Sequence, residues 1–339
     1  MKKSPVILLG HGSGGRLSHE LIQNLFIKAF RNNVLDKQTD AAVLPFPSDR
    51  LAFTTDAFVV NPLFFPGGDI GKLAVAGTVN DLAVSGAKPL FLSASFIIEE
   101  GFPYEELEKV VNSMATEAQN AGVQIVTGDT KVVEKGKCDR LFITTSGVGA
   151  IIGGDAKNIN EREIQVGDKI IINGSIGDHG MAVMAARNEL NLSAPILSDC
   201  ACLYELIHSI TEITDEVHFM RDATRGGLGT VITEVCENQH FGALLHEETI
   251  PVSENVRGMC ELLGFDPLYV ANEGKVVLIV SSKDAEKVVN QLRNHPKGAS
   301  AAIIGEIVSQ HPGQAWLKTA FGSTRVIDML AGEQLPRIC

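Results

Sequence analysis

Four aspartates stand where carboxylates could act together. Asp56 interrupts a β-branched and aromatic run, Asp81 sits beside Asn80 among small residues, Asp129 follows Gly128, and Asp222 leads into Gly226-Gly227. A carboxylate in an apolar run is costly to bury unless it is paired or holds a cation. Hard cations such as Mg²⁺ take oxygen ligands and keep substrate phosphates among them. The segment Gly10-His11-Gly12-Ser13-Gly14-Gly15 gives a backbone that can wrap closely around a ligand or serve as a flexible linker. Arg16-Leu17 follow it, so the Walker pattern GxxxxGK[ST] is absent. Acids and glycines together point to Mg-nucleotide binding without a Walker loop. Each acid also has a structural use: Asp56 at a strand end, Asp81 as a partner of Lys88, Asp129 in a turn, Asp222 as a cap. Clustering decides between the two.

Three further features could do chemistry. Lys131 and Glu134 lie just past Asp129 and read as an acid–base pair or as an exposed ion pair. Asn272-Glu273-Gly274-Lys275 is a polar knot before an apolar strand, and a turn needs no more explanation than that. The chain ends on a thiol, Cys339. Terminal tails are mobile unless tied down, and a thiolate is a good nucleophile. Prenylation is excluded, because it needs the cysteine fourth from the end. His179 and His246 read as isolated structural histidines.

The elements that must position these residues follow from periodicity. Ser18 caps a helix with Leu21, Ile22, Leu25, Phe26, Ala29 and Phe30 on one face. Strands are expected at 51–60, 91–98, 123–131 (running into a glycine turn at Gly128-Asp129), 141–146, 169–173, 217–219, 242–246, 276–280 and 302–308. Helices are expected at 71–87, 103–121, 179–190, 201–213, 227–238, 254–263 and 283–293. The fold class is α/β, or α+β layers, in two domains, each a sheet with helices. The divisions are 1–40 (glycine-rich segment and helix), 41–155 (N-terminal domain), 156–310 (C-terminal α/β domain) and 311–339, an extended tail ending in Cys339.

Composition narrows the classes. With 339 residues the chain can build two cores. A net charge of −12 argues against nucleic acid or an anionic membrane as the main partner. The N-terminal apolar run stops at Leu9, too short for a signal peptide, and no stretch approaches a membrane span, so a cytoplasmic protein is expected. The six cysteines form no CxxC pair and no zinc quartet; Cys200-Ala201-Cys202 reads as helix-start packing, with metal binding the lesser alternative.

These stretches resemble a known superfamily. Thr54-Thr55-Asp56, the run from Gly77 through Asn80-Asp81 to Ala87, Gly128-Asp129-Thr130-Lys131, Arg221-Asp222-Ala223-Thr224-Arg225-Gly226-Gly227 and Asn272-Glu273-Gly274-Lys275 are similar to the ATP-binding superfamily of aminoimidazole ribonucleotide synthetase and selenophosphate synthetase. With His11-Gly12-Ser13-Gly14-Gly15 and the ending Pro336-Arg337-Ile338-Cys339, the whole chain resembles the carbamoyl dehydratases of hydrogenase maturation. The resemblance implies an N-terminal sheet that pairs across a homodimer into a barrel. It implies ATP with Mg²⁺, with Asp56, Asp81 and Asp222 as metal or phosphate ligands, Asn80 and Asp129 close by, and Gly12, Ser13, Gly14 and Gly15 covering the nucleotide. A carbamoyltransferase maturation protein would load the Cys339 sulfur, and ATP would drive dehydration of that group to a thiocyanate. The cyanide would pass to iron on a scaffold complex, for [NiFe]-hydrogenase. The dehydration needs a base, for which Lys131, Glu134 and Glu273 are the candidates. The alternatives are a small-molecule enzyme of the superfamily, such as selenophosphate synthetase, and a nucleotide-gated scaffold. No cysteine precedes Cys138, whereas selenophosphate synthetases carry a reactive Cys or selenocysteine near the N-terminus.

Overall fold

A computed structural model of the chain describes residues 6–39, 41–151, 159, 162–188, 195–329, 332 and 338. Cys339 and most of the expected division around residue 155 lie outside the described residues.

The first sheet has the order β1 (Leu51–Phe58), β6 (Leu141–Ala150), β4 (Lys88–Glu99), β5 (Gln124–Val133). β4 and β5 run parallel, and the other pairs are antiparallel. A parallel pair needs a crossover, supplied here by α4 (Tyr104–Asn120). A short ribbon, β2 (Phe64–Phe65) with β3 (Gly68–Asp69), leads into α3 (Ile70–Val84).

α3 is the pivot of the molecule. Asp69 caps it by accepting from Gly71 N (2.7 Å) and Lys72 N (3.2 Å), and Ser113 Oγ donates to the same carboxylate (2.6 Å). Nearly every residue of α3 is buried, because the helix packs on the first sheet, on α4 and on elements of the second layer. Its small residues permit that: a Cβ on Gly77 would meet the Phe58 ring at 2.9 Å. Among the described residues only one face of the first sheet is covered. The other presents Leu51 and Phe53 (58% and 65% exposed) and Ile97 to solvent.

The second sheet has the order β13 (Thr324–Ile327), β12 (Ala315–Lys318), β9 (Gly242–His246), β11 (Ala302–Val308), β7 (Lys169–Ile172), β10 (Val276–Val280), β8 (Val217–Asp222). Ile170, Ile171, Ile172 and all of β10 are buried, the continuous apolar runs of central strands. Around the sheet lie α5 (Asp178–Arg187), α6 (Tyr204–Thr211), α7 (Gly227–Cys236), α8 (Glu254–Leu263) and α9 (Ala285–Arg293).

Two expectations are corrected. Gly128-Asp129 is not a turn but the middle of β5, where a Cβ on Gly128 would meet Ala94 O at 2.2 Å; the glycine allows strand contact, not chain reversal. The region from residue 311 is not an extended tail throughout, because β12 pairs parallel with β9 and β13 closes the sheet edge. Strands of four residues are too short to show an alternation.

Candidate active site

The carboxylates meet between the two layers. β1 carries Asp56, α3 carries Asp81, the end of β8 carries Asp222, and the loop before β10 carries Glu273. All four line one cavity of about 40 Å³, together with Thr224 and Arg225. That space suits an ion or a water, whose share of liquid volume is about 30 Å³. Thr54 Oγ1 donates to Asp81 (2.7 Å) and Thr78 Oγ1 to Asp56 (3.3 Å). Glu273 is 3% exposed, and its Oε1 has no hydrogen-bond partner.

Burial raises every one of these acids, and the charge of neighbouring acids adds to it for Asp56, Asp222 and Glu273. Asp56 is pushed up to about 6, first by burial and then by the charge of Asp81. Asp222 is pushed up to about 7 by burial and then by Asp81. Burial raises Asp81, and it raises Glu273 well above the carboxylate range, with Asp199 and Asp222 adding to it. Among the described residues no three His, Cys, Asp or Glu side chains form a closed metal cage. Mg²⁺ does not ask for one, since one or two carboxylates plus substrate phosphates usually hold it. The crowded charge and the orphaned Glu273 oxygen fit a site completed by a cation and phosphates.

A pH dependence follows. Asp56 and Asp222 rise from an ordinary 3.8 to about 6 and about 7, so the folded protein binds more protons than the unfolded chain between those values. Stability from these groups is then greatest below about pH 4 and falls as pH rises to about 7. MgATP should offset that loss, giving a larger rise in Tm near pH 8 than near pH 5 in a thermal-shift titration. Equal rises at both would show that the ligand leaves these acids untouched.

Backbone contacts hold Glu273 in place. Asp199 accepts from Glu273 N and Gly274 N (both 3.1 Å) and from Lys275 Nζ (2.9 Å). Asn80 donates to Ala201 O (3.0 Å) and Glu273 O (3.4 Å) and accepts from Leu203 N (2.7 Å). The Asn80 amide is occupied within the protein, where it positions the backbone of Glu273. Cys200 and Cys202 are free and buried at this junction, and burial raises both thiols well above their ordinary range.

The glycine-rich loop and Asp129 form a separate place. A cavity of about 330 Å³ is lined by Gly12, Gly14, Ser18, Phe26, Phe96 and Asp129, among others. Such a volume is at the lower end for small-molecule pockets. A Cβ on Gly12 would meet Val132 N at 2.4 Å, so the loop lies directly on β5. Ser18 is not the helix cap: α1 (Arg16–Leu21) is capped by Gly15. The Ser18 hydroxyl instead ties the loop, donating to His11 O (2.5 Å) and accepting from Gly14 N (3.2 Å). α1 passes through a π-helical segment (Ile22–Ile27) into α2 (Lys28–Phe30), and Ser13 donates to Gly10 O (3.1 Å).

β1 and β5 are the two edges of the first sheet, so Asp129 lies about 14 Å across the strands from Asp56. Within one chain Asp129 does not join Asp56, Asp81 and Asp222. Lys131 and Glu134 are exposed, Lys131 opposite Ile97 in the register. Residues three apart meet on a helix but not along a strand, so β5 does not bring this pair together. Neither lies beside Glu273 in the chain.

Sequence reasoning missed the support behind Glu273. Asp199 carries no local motif, and its role exists only through contacts with a loop some 75 residues away in sequence. His179 was read as isolated; it is fully buried, with both ring nitrogens hydrogen-bonded.

Two α/β layers with a carboxylate cavity at their junction define the class. Residues 38–151 match the N-terminal domain of AIR synthase related protein and residues 165–318 its C-terminal domain. A thiamine monophosphate kinase from Aquifex aeolicus shares the fold at 15% identity (TM-score 0.60, covering 92% of this chain and 99% of that one). Carbamoyl dehydratase HypE of Cupriavidus necator is 49% identical over 99% of this chain and 96% of its own, and that of Escherichia coli 47% over 98% and 99%. A crystal structure of hydrogenase maturation protein HypE in complex with ATP superposes with a TM-score of 0.93 at 45% identity, covering 98% of this chain and 99% of that one. The chain belongs to the carbamoyl dehydratase HypE family, within the AIR synthase related proteins.

Proposed function

We propose that this enzyme is an ATP-dependent carbamoyl dehydratase acting on its own C-terminus. The observation that carries the reading is Ile338. The residue before the terminal thiol is 5% exposed and forms an antiparallel bridge with Val60, beside the layer junction. A small-molecule kinase or a selenophosphate synthetase has no use for a C-terminal thiol whose neighbour Ile338 is buried against its body.

The reaction balances as follows. A carbamoyl group sits on the Cys339 sulfur, S–C(=O)–NH₂. Its oxygen attacks the γ-phosphorus of ATP, ADP leaves, and the nitrogen gives up its first proton to water, leaving an O-phosphorylated imidate with one N–H. A base removes the remaining N–H proton, the C–O bond breaks, phosphate departs and S–C≡N remains. Phosphorylation is needed because an amide oxygen is a poor leaving group. Asp56, Asp81 and Asp222 would hold Mg²⁺, which supplies charge neutralisation for the phosphates. Glu273 is our first choice of base, since burial makes it an unusually strong proton acceptor once the surrounding charge is compensated. Lys131 and Glu134 stand behind it.

A homodimer supports the rest. The uncovered face of the first sheet carries exposed Leu51, Phe53 and Ile97, and β1 and β5 are its edge strands. Pairing β1 of one copy with β5 of another closes a barrel and brings the glycine loop, Asp129 and Lys131 of one copy toward the carboxylates of its partner. Phe53→Asp should yield monomers in sedimentation and lose ATP affinity together with the dimer; dimers of that variant would count against this pairing.

The partners follow from the chemistry: a carbamoyltransferase that loads the thiol, and an iron-carrying scaffold that takes the cyanide. A solved HypE–HypF complex (TM-score 0.79, 48% identity, covering 91% of this chain and 99% of that one) shows a relative assembled with a second protein. Among the described residues no helix is long and apolar enough to cross a membrane, and we place the enzyme in the cytoplasm. Intact-mass spectrometry after incubation with carbamoyltransferase, carbamoyl phosphate and ATP tests the whole reading. It should show a carbamoyl adduct and then a species lighter by one water; a nucleotide-gated scaffold would show neither.

A further inference from the structure

We infer that His179 is a latch for the C-terminal tail, its Nε2–H holding the carbonyl of Ile338 so that Cys339 is kept for dehydration and not for reloading. His179 lies in α5, is fully buried and stands 2.5 Å by Nε2 from Ile338 O. Its Nδ1 is 2.9 Å from Ser198 Oγ. Ser198 Oγ also accepts from Cys200 N (3.1 Å).

The carbonyl fixes the direction of the others. A carbonyl oxygen only accepts, so Nε2 carries the hydrogen and donates to Ile338 O. Nδ1 of the neutral imidazole is then the acceptor, and Ser198, which takes the Cys200 amide on a lone pair, donates its proton to Nδ1. Burial lowers the His179 pKa, which keeps the ring neutral. The Phe65 ring packs edge-on against the imidazole, 5.3 Å between centroids, and limits its rotation. The donor is therefore preset toward Ile338 O.

The latch is built into the loop that supports the candidate base. Ser198 orients His179, the next residue Asp199 holds the backbone of Glu273, and the following Cys200 locks Ser198. A tail that seats on His179 thus bears on the segment that places Glu273. The geometry assigns His179 a positioning role, since nothing here puts it in contact with the reacting atoms.

This inference rests on the reading that Cys339 carries the substrate, and the experiment separates the two. Full-length protein is treated with iodoacetamide, and alkylation of the C-terminal peptide is followed by mass spectrometry. His179→Leu should raise the Cys339 alkylation rate by about fivefold, the size of one net hydrogen bond. Thiocyanate formation from pre-carbamoylated protein should slow by a similar factor, with ATP affinity unchanged. His179→Gln, whose amide can donate from nearly the Nε2 position, should recover most of both. Ile338→Ala alters only the tail and should also speed alkylation, so the idea stays testable if the leucine variant folds poorly. Unchanged alkylation in both His179→Leu and Ile338→Ala overturns the latch. Absence of thiocyanate in the wild-type protein overturns the carrier reading instead and leaves the alkylation result standing.

Discussion

Cys339→Ala forms neither a carbamoyl adduct nor a thiocyanate, and it binds ATP as the wild type does. The expected loss is complete because no other thiol can take the role. Cys200, Cys202, Cys236 and Cys260 are buried, and burial raises each thiol, Cys236 and Cys260 to about 11. Cys138 is half-exposed, but burial and the charges of Glu99 and Asp139 raise it too. Fewer thiolates at neutral pH means weaker nucleophiles. Nucleotide binding should survive, because the carboxylate cavity and the glycine loop are built wholly from residues before the tail. A single terminal substitution of this kind should change stability by less than about 0.5 kcal/mol. Intact mass and equilibrium dialysis read the two halves separately. An adduct lighter by one water on the alanine variant would end the carrier hypothesis, and lost ATP binding would tie the tail to the nucleotide site.

The sequence made some of this legible and hid the rest for physical reasons. The carboxylates of Asp56, Asp81 and Asp222 could be picked out because each sits in an apolar or small-residue context that a charge does not otherwise enter. Their meeting point was not legible, because it depends on tertiary packing: Asp81 lies on an almost fully buried helix that packs on both layers. Asp129 has the same local signature and lies elsewhere. What separates it is the strand order β1-β6-β4-β5, and strand order is not a property of any segment. Ser18 looked like a cap because it precedes an apolar face, yet it sits inside the first turn and ties down the glycine loop. Asn80 stands out beside Asp81 as a polar residue among small ones, but the sequence gives no sign of its partners, which are backbone groups more than a hundred residues away. His179 had no neighbour in sequence to mark it, since its partners are Ser198 and Ile338.

Glu273→Gln should gain stability and lose turnover. The Glu273 carboxylate is buried, has one oxygen without a partner, and is raised well above the usual range by burial and then by Asp199 and Asp222. Such a group makes the empty protein less stable wherever it is forced to ionise. Folding binds its proton more tightly than the unfolded chain does, so its contribution falls as pH rises above its unfolded value of about 4.5. Glu273→Gln removes the titration while keeping the shape. The variant should match or exceed the wild type in denaturant midpoint near pH 8 and show a flatter dependence of stability on pH. Catalysis should move the opposite way, because an amide cannot take the N–H proton. Loss of a positioned base costs on the order of 10² to 10⁴ in rate. Carbamoylated protein should therefore persist, detected by mass, while ATP still binds. A variant that dehydrates at the wild-type rate would pass the role to Lys131 or Glu134. Since both are exposed on the β5 side of the first sheet, it would also make the base a residue that only a second copy can deliver to the carboxylate cavity. Stability gained and turnover lost in one substitution would mark Glu273 as a residue kept for reaction at a cost to the fold.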